Sequence, residues 1–133
     1  MLQTLRLKNF TAFASADLSF CLGLNVIVGQ NGAGKTHLLK AAYLLNRAWP
    51  DLMFKRSALN RKHAETYFEE RLLGLFQPTR LENLIRRGSR GGCEIGGEVE
   101  AFIPTISARV GRMSRRLLAG VIRRMPNIRR KAR

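Results

Sequence analysis

Eight consecutive residues, Gly29-Gln30-Asn31-Gly32-Ala33-Gly34-Lys35-Thr36, constrain this chain more than any other stretch. They satisfy G-x-x-x-x-G-K-[ST], the phosphate-binding loop or P-loop. Its glycines let the backbone curl without a Cβ in the way. Successive N–H groups then face one concavity and cradle phosphate oxygens. A helix beginning near Gly34 adds its positive N-terminal end. In this pattern Lys35 reaches the β- and γ-phosphates of a nucleoside triphosphate and the Thr36 hydroxyl ligates Mg²⁺. The expected ligands are ATP and Mg²⁺, with all eight residues at the nucleotide and Thr36 at the metal. The pattern needs a strand before it and a helix after it, and the flanks supply both patterns.

Leu2 to Asn9 alternates, with Leu5 and Leu7 opposed to Arg6 and Lys8, which predicts a half-buried strand. Asn9 to Phe13 is a turn, and Ala14 to Phe20 alternates again as a second strand paired with the first. Leu24 to Val28 is a near-continuous apolar run, expected to be a strand buried on both faces. From Lys35 to Arg47 the period becomes helical through Leu38, Ala42 and Leu45, and Trp49-Pro50-Asp51 is expected to end that helix. Residues 58–76 carry a second helical stripe, stopped by Gln77-Pro78-Thr79, and Leu81 to Arg87 predicts a further short helix. The glycine-rich stretch Gly88 to Gly97 predicts a loop or wide turn, and Glu94 to Ile106 has patchy strand character.

Charge divides the chain. The net charge is +15, and the last stretch, from Arg109 to Arg133, holds nine arginines, one lysine and no acid. The expected organisation is a partial P-loop ATP-binding domain over 1–108 and a basic tail over 109–133. Within that tail, Leu117, Leu118, Val121, Ile122 and Met125 share a helical face between arginines, so an amphipathic helix is one reading. A nucleic-acid-binding arm is another, because phosphate contacts dominate such affinity. A non-native extension is the third. Cys21 and Cys93 form no C-x-x-C pair and read as reduced thiols of a cytoplasmic protein. No run of 18 apolar residues predicts a membrane span, and no basic start with an apolar core predicts a secretion signal.

Leu5-x-Leu7-x-Asn9-Phe10, two strands, and then the P-loop followed by Leu38-Leu39 together resemble the N-terminus of one family. It is the SMC/Rad50/RecF branch of ABC-type ATPases, which includes RecF-like and overcoming-lysogenization-defect-like AAA proteins of bacteria. The resemblance implies an α/β P-loop NTPase head with an incomplete sheet and an antiparallel N-terminal hairpin. It implies ATP held with Mg²⁺ between two heads of a homodimer, DNA as the partner, and a base- or ribose-contacting role near Asn9 to Phe13. It also implies an acidic pair after an apolar strand, a Ser-Gly-rich signature helix and a glutamine loop. None of the nine acids, Asp17, Asp51, Glu65, Glu69, Glu70, Glu82, Glu94, Glu98 and Glu100, follows four apolar residues, and no signature stretch occurs. Gln77 stands roughly where the glutamine loop falls, or is a polar helix stop. The expectation is therefore nucleotide binding by an N-terminal fragment of a longer ATPase, with no catalytic residue named. A non-enzymatic basic nucleic-acid-binding module and a small P-loop kinase are the alternatives. His37 and His63 have no partner cluster and read as ordinary helix and surface residues.

Overall fold

The computed structural model describes residues 1–54, 61–99, 104–111 and 117–123. Strands β1 (Leu2–Phe10) and β2 (Phe13–Ser19) form the expected hairpin. Helices α1 (Lys35–Phe54) and α2 (Arg61–Phe76) follow, then a short 3₁₀ turn at Leu81–Leu84. Strands β3 (Cys93–Val99), β4 (Pro104–Val110) and β5 (Leu117–Arg123) complete one antiparallel sheet in the order β2-β1-β3-β4-β5. The expected basic end at 127–133 lies outside the described residues, as do Glu100 and the irregular segment from Lys55.

One sheet face is the core. Leu5 pairs with Gly97 and Leu7 with Ile95; Ile95 pairs in turn with Ala108, and Cys93 with Val110. Directly opposed residues share a face, and Leu5, Leu7, Ile95, Cys93, Ala108 and Val110 are all buried. Alternation along β1 slips at both ends. The register shifts between Leu2 and Thr4, and Asn9 has φ +48, so Leu2 and Phe10 also turn inward despite their even numbers. Helix α1 covers this face with Leu38, Ala41, Leu44, Leu45, Ala48 and Leu52, spaced at helical intervals, and α2 adds Ala64, Phe68 and Leu72.

Four expectations are corrected. Leu24 to Val28 forms no strand: nothing among the described residues pairs with it, and a strand needs partners for its N–H and C=O groups. Leu24, Val26 and Val28 are bare, at 86%, 71% and 86% exposed, while Ile27 is half-buried against the core. Helix α1 does not stop at Pro50 but runs to Phe54. Buried Ala48 and Leu52 bracket the proline, and Asp51 is held by Tyr67 at 2.8 Å, Arg71 at 3.2 Å and Arg47 at 3.5 Å. Tertiary anchoring outweighs the lost helical hydrogen bond. Gly96 and Gly97 lie inside β3 rather than in a loop. A Cβ on Gly97 would strike the Thr4 carbonyl oxygen and come within 2.9 Å of Leu45 Cδ1, so glycine lets α1 sit close on the sheet. Finally, 117–123 is a strand and not a helix, paired along its length with β4. The exposed backbone edge of β4 decides a segment whose apolar pattern fits either period. The expected boundary at 108/109 falls within β4, so the sheet crosses it.

Candidate phosphate-binding site

The loop 29–34 joins the bare extended segment to the start of α1. Asn25 closes the turn before that segment, accepting from the Cys21 N–H at 2.9 Å and donating to the Cys21 and Gly23 carbonyls. Within the loop, the Ala33 N–H donates to the Gln30 carbonyl at 3.2 Å, and Gly32 and Gly34 have φ +81 and +89. Those angles suit glycine and little else. The Leu38 N–H donates to the Gly34 carbonyl at 3.0 Å, the first bond of α1. The N–H groups of Lys35, Thr36 and His37 thus belong to the unpaired first turn, which holds no acidic side chain.

The lysine is turned onto its own loop. Lys35 Nζ donates to the Gly29 carbonyl at 2.6 Å and to the Gln30 carbonyl at 2.7 Å. These bonds tie the loop's start to its end and hold the curl. The Thr36 hydroxyl is on an exposed residue and makes no hydrogen bond among the described residues. Mg²⁺ usually takes one or two protein oxygens and completes its shell with phosphates and waters. A single free hydroxyl at this position fits that donor set, and the described residues hold no cluster of His, Cys, Asp or Glu that would bind a metal by itself.

The loop packs against the β1–β2 turn. A Cβ on Gly34 would lie 3.0 Å from Ala12 Cβ and from the Phe13 ring. Beside this junction is an open cavity of about 600 Å³, lined by Gly32 and Gly34, by Thr11, by Phe76 at the end of α2, and by Arg86 and Arg87. Phe76 is set by an edge-on contact with the Phe10 ring, centroids 5.2 Å apart. His37 also lines the cavity, its ring 5.7 Å from that of Phe76. Gln77 caps α2 with φ +48, its N–H bonded to the Leu73 carbonyl at 3.0 Å, which is the geometry of a helix stop.

The structure sets Gly32, Gly34 and the other loop residues at the head of α1, with the helix expected after the loop and without the strand expected before it. Sequence reasoning missed Phe76, Arg86 and Arg87, which only the return of the chain after α2 carries to the loop. Asp17 pairs with Arg6 and Glu94 with Arg109, each at 2.8 Å, and no described residue lining the cavity is acidic.

A glycine-rich loop opening a helix beside an antiparallel sheet places this region in the α/β class. Comparison makes the placement more particular. Residues 4–45 match the family model described as AAA domain. A DNA replication and repair protein RecF of Deinococcus deserti is 33% identical over 103 residues, 74% of this chain and 21% of that protein. A DNA double-strand break repair Rad50 ATPase of Thermoplasma volcanium is 33% identical over 72 residues, 54% of this chain and 8% of its own length. An ATP/GTP phosphatase of Helicobacter pylori is 47% identical over 45 residues, 34% of this chain and 12% of that protein. The N-terminal region is therefore related to the SMC/RecF-like P-loop ATPases, and the chain spans only a small part of the length of the relatives it matches.

Proposed function

We propose that this chain binds Mg-ATP through Gly29 to Thr36 and supplies the nucleotide-binding part of an SMC/RecF-like ATPase that acts on DNA. The observation that supports the reading is the loop itself, with left-handed Gly32 and Gly34 leading into unpaired N–H groups at the head of α1 and Lys35 folded back on the Gly29 and Gln30 carbonyls. Binding turns the Lys35 ammonium from the Gly29 and Gln30 carbonyls to phosphate oxygens, a stronger charge-assisted partner. Thr36 would hold Mg²⁺, whose chemistry is to neutralise charge on the β- and γ-phosphates. The relatives' names, DNA replication and repair protein RecF and DNA double-strand break repair Rad50 ATPase, support DNA as the partner.

Hydrolysis is a separate matter. Phosphoryl transfer needs a group that orients the attacking water, and no carboxylate among the described residues lines the cavity. The isolated chain is expected to bind ATP and to release phosphate very slowly. Titrating ATP with Mg²⁺ against the wild-type chain and Lys35→Ala, read by thermal shift, tests the binding claim. The wild type should be stabilised and the variant should not; an equal response in both would sink it. A phosphate-release assay on the same samples tests the second claim.

The charge of +15 favours a second reading, a basic module that binds nucleic acid without using nucleotide. That reading expects DNA affinity with a steep salt dependence and no response to ATP.

A further inference from the structure

Helix α1 and the segment before the P-loop turn an apolar surface to solvent. Among Leu24 to Val28 only Ile27 packs against the core. Leu24, Val26 and Val28 alternate with it and stand bare on the other side. Leu22, at the bend before the segment, is 83% exposed. Helix α1 adds a second bare stripe, Leu39 and Tyr43, four residues apart and each more than half exposed. A cleft of about 230 Å³ joins the two parts: Phe20 and Asn25 line it from one, Ala42 and Tyr43 from the other, and the half-exposed Met1 lines it as well.

The extent of this surface is that of an interface. At roughly 100–150 Å² for a large side chain, the seven bare ones, scaled by their exposure, offer on the order of 500–700 Å². That reaches the upper end of the largest patch on a typical monomer, about 300–600 Å². It approaches the roughly 800 Å² that each partner buries in a standard-size complex. Charge indicates what covers it. No residue from Phe20 to Gly34 is charged, nor is Leu39 or Tyr43, in a chain of net charge +15. An acidic partner finds no cation here, and two like-charged copies meet here with least repulsion.

We propose that this surface docks a second copy of the chain about a twofold axis. In such a contact the same patch serves both sides. Leu24, Val26 and Val28 of each copy pack on the patch of the other, an apolar contact of the kind homodimers use. The pairing needs no nucleotide, unlike one in which ATP lies between two heads.

Sedimentation velocity on the full chain across a concentration series tests this. The wild type should pass reversibly from one copy to two, equally with and without Mg-ATP, and so should Lys35→Ala. The double substitution Leu24→Lys, Val26→Lys sets like charges against each other across the axis and should leave a monomer at every concentration. Both positions are bare, so its Tm in dilute solution should match that of the wild-type monomer. Leu73→Lys, at an exposed apolar residue of α2, should dimerise as wild type does. A spin label on the exposed Cys21 should couple to its counterpart in the wild-type dimer and lose that coupling in the double variant. A wild-type chain that stays monomeric, that pairs only with Mg-ATP, or that grows past two copies would overturn the proposal. So would a dimer that survives the double substitution. Nucleotide binding stands or falls by its own titration, since the docking surface makes no use of it.

Discussion

Single residues here do work that their types alone would not announce. The two cysteines differ only by placement. Cys21 is exposed, whereas Cys93 is buried beneath the helices, and burial pushes its thiol up to about 11 from 9.0. A thiol raised in the folded state adds stability in full below about pH 9, and the contribution is lost as pH rises through 11. A Cys93→Ala chain should therefore lose stability less steeply over that window, measured by urea unfolding at several pH values. A thiol reagent at pH 8 should label one cysteine in the native chain and both after unfolding. Gly97 is decided by space instead. Gly97→Val drives a side chain into the Thr4 carbonyl and Leu45, and overpacking of this kind costs on the order of 1–3 kcal/mol or more. Thermal unfolding should show the loss directly.

At the scale of elements, what was legible in the sequence was what local pattern controls. The β1–β2 hairpin and the P-loop before α1 follow from period two, period 3.6 and three glycines. Three of the misreadings share one cause, a partner far away in sequence. Pro50 signals an end to α1, but Leu52 is buried and Asp51 is held from α2. Gly96 and Gly97 signal a turn, but α1 needs them small. Arg86 and Arg87 carry no local signal of a site at all, since only the return of the chain after α2 brings them to the loop. The anchoring account of α1 makes a prediction. Asp51 is 17% exposed and accepts charge-assisted hydrogen bonds, so Asp51→Ala should cost about 1–3 kcal/mol and fray α1 beyond Pro50. Hydrogen exchange at Leu52 reports the fraying, and protection equal to wild type would count against it.

At the scale of the molecule, the sheet is antiparallel throughout its described strands and continues past the composition break at 109 into β5. The break in charge is therefore not a break in fold. If the proposed DNA partner meets the basic C-terminal residues, changing Arg129, Arg130, Lys131 and Arg133 to Gln should flatten the salt dependence of DNA binding. An unaltered slope would assign the contacts to other residues.

The bare segment before the P-loop has a further consequence for how solutions of this protein behave. From Phe20 to Gly34 there is no charged side chain, in a chain of net charge +15. Leu22, Leu24, Val26 and Val28 stand exposed within that neutral window. Like-charge repulsion between molecules is long-ranged and fades as ions shorten the Debye length to about 10 Å at 0.1 M. Attraction between the windows is short-ranged and survives screening. Added salt should thus bring the molecules together, with the light-scattering second virial coefficient turning from positive to negative, while the same salt drives nucleic acid off.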